Sequence, residues 1–283
     1  MSGSSIYRSA AGGEAIRRWC LDRLAAWHVP HTCEVFTAAG AETRVVLAGD
    51  GGPTVVVVPG TNFNAATCLP LATALAARYR TVVVDVPGQP GLSSPERGRG
   101  GGRLGWYGTW LSEVIEACTS GPVIVLGHSF GAAIALSTTS PRVEGQVLVS
   151  PGGLTSLRLT PRLLCASAAW LALPRPRHSA WLLRTMSAPD APAPRPALVE
   201  WMTLVARHAR SSGAPEPARA PHQTLPRRVA TGDQDVFLPP RRLAAPVRRT
   251  LSVELRVLPR AGHLVIEEHP DRVADLVAEL VGR

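Results

Sequence analysis

The segment Val123-Ile-Val-Leu-Gly127-His128-Ser129-Phe130-Gly131-Ala132-Ala133 carries an apolar run into G-x-S-x-G and then into small residues. A strand that enters a helix through this pattern lifts its serine onto a tight turn at the strand's carboxyl end. Side chains at the two glycines would collide there, and the amides of the helix N-terminus point toward the hydroxyl. A serine hydroxyl is a poor nucleophile until a base takes its proton, and that base needs an orienting acid. In this arrangement both come later in the chain. His263, in Leu258-Pro-Arg-Ala-Gly262-His263-Leu264, follows a predicted strand and precedes the last helix, which makes it the expected base. His28, His31, His178, His208, His222 and His269 fall in the leading segment, in a later proline-rich stretch or at the start of the final helix, and His128 is the variable residue of the serine turn. For the acid, Arg228-Val-Ala-Thr-Gly232-Asp233-Gln-Asp235-Val-Phe-Leu-Pro239 ends another strand, and both Asp233 and Asp235 fit. Capping or turn formation is the ordinary use of aspartate at such a place.

Attack on an acyl carbon passes through a tetrahedral anion, which needs preorganised N–H donors. The amide of Phe130 is one expected donor. The other is expected in the loop Pro59-Gly60-Thr61-Asn62-Phe63-Asn64, with Thr61 N–H first and Asn62 as a supplement. Asn62 and Phe63, with His128 beside the serine, are the core residues expected to face substrate.

These groups need a scaffold that brings strand ends together. Continuous apolar runs at Thr54–Val58, Thr81–Asp85, Val123–Leu126 and Gln146–Val149 read as strands buried on both faces of a parallel sheet. Helical patterns at Ala65–Arg78, Trp106–Cys118 and Phe130–Thr139 lie between them, and Val253–Leu258 and Asp271–Val281 repeat the order. Ahead of the sheet, Gly13–Trp27 reads as a helix, followed by antiparallel strands near Thr32–Thr37 and Thr43–Ala48. From about Gly153 to Thr224 no strand-like run occurs and prolines recur, which predicts a helical insertion with helices near 161–172, 178–186 and 197–210. Trp170, Trp181 and Trp201 fall on those helices and are the candidate walls of an apolar pocket. The domain reading is therefore a core over 1–152 and 225–283 and a helical unit over 153–224.

Composition sets the outer bounds. With 283 residues, 45% hydrophobic, 18% charged, and 26 Gly and 26 Pro, the chain is a folded globular protein rather than a disordered, collagenous or coiled-coil one. Cys20, Cys33, Cys68, Cys118 and Cys165 are scattered, with no zinc spacing, so free thiols and no metal are expected. The longest apolar stretch, Leu163–Leu173, is about half of the ~20 residues that span a bilayer, and the opening residues lack an apolar leader. A cytoplasmic protein without a membrane partner is the expectation. The formal charge of +9 comes from 30 arginines, and residues 156–260 hold 17 of them against 6 acids. Such an excess can coat a surface or steer an anion. No nucleic-acid motif accompanies it, so no nucleic-acid partner is expected. The glycines of Gly98-Arg-Gly-Gly-Gly102 lack the strand-to-helix setting of a phosphate loop and read as a flexible rim segment, and no cofactor is implied.

Together, VVVVPGTN, VVVDVPGQPGLSS, VLGHSFGAA, TGDQDVFLP and RAGHLVIEEHP resemble, in order, an α/β-hydrolase of the capped esterase and thioesterase kind, over about Val45 to Arg283. The opening YRSAAGGEAI and WHVP are similar to certain bacterial carboxylesterases. The resemblance implies an α/β fold with a mostly parallel eight-stranded sheet, helices on both faces, and a helical cap after strand six. It implies Ser129 as nucleophile, Asp235 rather than Asp233 as acid, His263 as base, and Thr61 with Phe130 as oxyanion donors. Pro59-Gly60 stands where the family commonly has His-Gly, and the family's D-x-x-G-x-G-x-S appears as Asp85-Val-Pro-Gly88-Gln-Pro-Gly91-Leu-Ser93 with an inserted proline. Asp85 is expected to be structural.

The function expected from these readings is a serine hydrolase cleaving a carboxylic ester or thioester of an acyl or alkyl substrate. The arginine excess leaves room for an acyl carrier protein or coenzyme A thioester. The same fold also hosts acyl transfer, cyclisation, isomerisation and lyase chemistry, or a cavity that only binds.

Overall fold

In the computed structural model, which describes residues 5–98, 102–210, 216–218 and 225–282, a leading helix α1 (Ala10–Ala25) precedes the antiparallel pair β1 (His31–Ala38) and β2 (Ala41–Ala48). Then come β3 (Thr54–Val58), α2 (Leu69–Ala76), β4 (Arg80–Val84), α3 (Arg103–Cys118), β5 (Val123–His128), α4 (Phe130–Ser137) and β6 (Val143–Val149). Three helices follow, α5 (Pro161–Ala172), α6 (Pro176–Met186) and α7 (Pro196–His208). The sheet resumes with β7 (Arg227–Gly232), α8 (Pro240–Leu251), β8 (Leu255–Leu258), a short α9 (Val265–Glu268) and α10 (Pro270–Val281). The rim segment expected at Gly98–Gly102 lies outside the described residues at 99–101.

The eight strands form one sheet in the order β1-β2-β4-β3-β5-β6-β7-β8. β2 runs antiparallel to both of its neighbours, and every pair from β4 through β3 to β8 is parallel. The continuous apolar runs divide between two cores. Val55, Val57, Ile124, Leu126, Val147 and Val149 join the core under α1, α2 and α10, whereas Val56, Val58, Val82, Val84, Val125 and Leu148 join the one under α3, α4 and α8. The central strands that carry these runs thus bury both faces, and full burial of one such side chain contributes about 1.5–3 kcal/mol.

Helix α2 begins later than Ala65 for a visible reason. Asn64 and Thr67 close a turn reciprocally, Asn64 N–H donating to Thr67 Oγ1 (2.9 Å) and Thr67 N–H to Asn64 Oδ1 (3.0 Å), while Ala65 N–H is taken by Asp85 Oδ1 at 2.7 Å. In the insertion, α5, α6 and α7 each start on a proline, where the missing N–H costs nothing. The prolines that interrupt the sequence there are helix starts. Among the described residues no helix is long and apolar enough to cross a membrane, and all five cysteines are unbridged.

Candidate active site

Strand β5 ends at His128, and Ser129 takes φ 52° and ψ −111°, outside the ordinary regions for a side-chain-bearing residue. The turn depends on its flanking glycines. A Cβ at Gly127 would stand 2.5 Å from Ala132 Cα, and one at Gly131 would run into the Val58 carbonyl oxygen. Helix α4 therefore packs hard against β3 and β5, and backbone bonds from Ser129 N–H to Val149 O (2.9 Å) and from Gly152 N–H to Ser129 O (3.0 Å) brace the turn against β6.

Ser129 Oγ lies 3.0 Å from His263 Nε2, and His263 Nδ1 lies 2.9 Å from Asp235 Oδ2. The carboxylate can only accept, so Nδ1 carries the proton and the Nε2 lone pair faces the serine hydroxyl. Asp235 Oδ1 accepts the amides of Phe237 (2.9 Å) and Leu238 (2.8 Å), and the Thr231 hydroxyl donates to Oδ2 at 3.2 Å. Burial would push the Asp235 carboxyl up, but the His263 imidazole beside it, the Leu238 amide and the Ser150 hydroxyl hold it well below the usual carboxylate range. Asp233 is separate: it is exposed, and its Oδ1 accepts Ala261 N–H at 3.1 Å as a turn brace. A relay of this geometry can carry a proton from hydroxyl to imidazole while the carboxylate stabilises the imidazolium.

His128 is buried against His263, ring centroids 5.2 Å apart, and its Nε2–H donates to His263 O at 2.9 Å. Burial first, and then the neighbouring His263, push it down to about 3, so it is neutral. Its Nδ1 is buried without a partner among the described residues, close to where a Cβ on Gly60 would stand, at 3.0 Å.

The amides of Thr61 and Phe130 have no hydrogen-bond acceptor among the described residues, which leaves both open to an oxyanion. Asn62 N–H is different, because it donates to Gln89 Oε1 at 2.9 Å. Asn62 sits at φ 63°, and its carbonyl accepts the indole N–H of Trp201 at 2.7 Å. Phe63 is packed into the core, with its amide on Gly60 O. Asp85 ties the loops after β3 and β4 together through the amides of Ala65 and Leu92, both at 2.7 Å, which is a structural role.

The three tryptophans of the insertion do not gather into one wall. Trp201 is fully buried, stacked on Trp19 with centroids 4.8 Å apart, and acts on the Asn62 loop. Trp170 is buried and donates to Met202 O at 2.7 Å inside the insertion, whereas Trp181 is 37% exposed on α6. Sequence reasoning also passed over Glu268. Its carboxylate accepts Gly262 N–H (2.7 Å) and Ala188 N–H (2.6 Å), while His263 N–H donates to Met186 O at 2.8 Å. Arg195, at the start of α7, forms a two-pronged pair with Glu267. The sequence signal for both was the EE pair that closely follows His263.

No curated protein matches the chain in sequence. Among solved structures it is similar to the carboxylesterase CesB from Bacillus subtilis, with a TM-score of 0.77 at 16% identity over 96% of this chain and 99% of that one. It is also similar to naproxen esterase from Bacillus subtilis, with a TM-score of 0.76 at 20% identity over the same shares. A membrane phospholipase A superposes with a TM-score of 0.71 at 18% identity over 96% of this chain and 90% of that one. Identities this low speak for the fold. The family model described as the alpha/beta hydrolase family matches residues 55–276, from β3 into α10 and across both the serine turn and the histidine loop, and the chain belongs to that family.

Proposed function

We propose that the protein is a serine hydrolase of carboxylic esters or thioesters that works through an acyl-enzyme on Ser129. The observation that carries this reading is the relay of Ser129, His263 and Asp235 at 3.0 and 2.9 Å. Ser129 Oγ attacks the acyl carbon as His263 Nε2 takes its proton. The resulting oxyanion is held by the amides of Thr61 and Phe130. Collapse breaks the bond to the leaving oxygen or sulfur, which takes the proton back from His263. Water then adds by the same route, His263 accepting its proton, and the free acid departs with Ser129 restored. Helices α5, α6 and α7 serve as a cap over this site, and the esterase neighbours support ester chemistry as the class.

The test is labelling with a fluorophosphonate probe, located by mass spectrometry on the peptide that contains Ser129, beside turnover of p-nitrophenyl esters. Labelling that disappears in Ser129→Ala and His263→Ala, with ester turnover in the parent, is the expected result. A folded protein with neither labelling nor turnover overturns the reading.

A further inference from the structure

Beside the acid of the relay lies a cavity of about 680 Å³ lined by Arg158, Arg162, Arg184 and Arg241, with Ser187, Gln234, Asp235 and Val236 also in its lining. The four guanidinium groups come from separate parts of the chain: the segment before α5, α5 itself, α6 and α8. None has an ion-pair partner among the described residues. The acids in the lining are Asp233 and Asp235, and both are engaged, Asp233 on the Ala261 amide and Asp235 on His263 and three donors of its own loop. Two of the arginine segments are held in place by backbone groups: Arg158 N–H donates to Phe237 O at 2.8 Å, and Arg184 Nη1 donates to Ala191 O at 3.0 Å. Like charges drawn around one concavity repel unless an anion joins them, and the guanidinium fork is shaped for phosphate oxygens.

We propose that this cavity is an anion subsite that holds a phosphate-bearing leaving group of the substrate, so that the chain acts on esters or thioesters of phosphorylated alcohols or thiols. The assignment rests on the serine-hydrolase reading for its chemistry and on the cavity for its charge. Position connects the two. Asp235 contributes to both the relay and the cavity wall, and Ser187 directly follows Met186, whose carbonyl holds the His263 amide. Set against Asp233 and Asp235, the four cations leave the lining net positive, which suits a phosphate, and the room is that of a drug-sized ligand. The concentration of arginine in residues 156–260, 17 against 6 acids, gives a long-range field of the same sign.

The experiment compares butyryl-coenzyme A, whose leaving thiol carries phosphates, with S-butyryl-N-acetylcysteamine, which presents the same acyl group on a neutral thiol. The expected result is a kcat/KM about tenfold or more in favour of the phosphorylated thioester, shrinking toward parity in about 0.5 M salt. The ratio collapses in an Arg162→Gln, Arg241→Gln double variant and is retained in the matching Lys double variant. Because it is a ratio, loss of folded protein does not mimic the effect. Equal rates in the parent, or a ratio unmoved by the Gln pair, overturn the proposal. A preference for p-nitrophenyl succinate over the butyrate without a coenzyme A preference also overturns it, by moving the anion to the acyl side. Calorimetric titration with free coenzyme A gives a readout independent of catalysis. Binding that disappears in the Gln pair upholds the subsite even where Ser129 takes no fluorophosphonate, a result that removes the hydrolase reading alone.

Discussion

At the scale of single residues, the two aspartates of Thr231-Gly-Asp233-Gln-Asp235 separate by what their oxygens meet. Asp235 is bonded to His263 Nδ1 at 2.9 Å, and Asp233 braces the Ala261 amide. Asp235→Asn puts a donor where the ring N–H must donate, forcing the wrong tautomer, and kcat for p-nitrophenyl butyrate should fall roughly 10³–10⁴-fold. Asp233→Asn should cost less than about tenfold, since an amide oxygen still accepts from Ala261. Comparable losses in the two variants would refute the assignment. His128 supplies a pH signature. It stays neutral in the fold down to about 3, whereas the unfolded chain protonates it near 6.5. The unfolded state therefore gains a proton that the folded state refuses, so this contribution is complete above pH 6.5 and drains as pH falls toward 3. His128→Gln retains an N–H for the His263 carbonyl and should flatten the dependence of urea stability on pH across that window. An unchanged slope would show that the ring is not the source. Ser129 and His263 were legible in the chain because each stands at a strand end with a recognisable neighbourhood. The choice between Asp233 and Asp235 was not legible from the residues alone, since both occupy the same turn and only the direction of the side chain distinguishes them.

Elements carry the next level of control, and here the helices after β6 act on the loops that hold the site. Trp201 on α7 holds the carbonyl of Asn62, next to the Thr61 amide, and Glu268 on α9 joins Gly262 to Ala188 just past α6. Trp201→Phe keeps the stack on Trp19 but removes the indole N–H, leaving a buried carbonyl unserved. It should cost about 1–2 kcal/mol in urea unfolding and lower kcat with little change in KM. A change confined to KM would instead make Trp201 a substrate contact. Glu268→Ala frees two amides that flank the base loop, and should lower kcat for neutral and charged esters alike, with fluorophosphonate labelling of Ser129 slowed in proportion. Labelling at the parental rate would exclude a positioning role. The insertion's helices could be read from the chain because their prolines mark starts, at Pro161, Pro176 and Pro196. Their partners could not, because an indole on a helix pattern looks the same whether it walls a pocket or grips a distant carbonyl. The late start of α2 belongs to the same class, since the Asn64–Thr67 closure and the pull of Asp85 on Ala65 join segments distant in sequence.

Over the whole molecule, the mostly parallel eight-stranded sheet was implied by family likeness rather than by any single run, and the division of alternate valines between two cores is what the unbroken apolar pattern had encoded. Helix α1, whose role the chain did not reveal, is the strut that unites the core with the insertion. Trp19 lies against Trp201 and donates to Glu200 at 3.0 Å, and Arg8 N–H and Arg210 N–H close a short antiparallel bridge with His208 O and Ile6 O, both at 2.8 Å. The bond from Trp201 to Asn62 therefore fastens more than a loop: with the Glu268 clamp and the bond from His263 N–H to Met186 O, it makes the insertion part of the chemistry's frame. Any swing of these helices would have to break bonds at the Asn62 loop and at the His263 loop. Heat should then abolish turnover and melt the protein in one step, with the inactivation midpoint and the calorimetric midpoint coinciding. A catalyst that failed several degrees below its melting point would instead carry a detachable lid. The same fastening predicts turnover that needs no awakening by an oil–water boundary, so the rate on a soluble ester should run smoothly through the concentration at which that ester begins to form micelles.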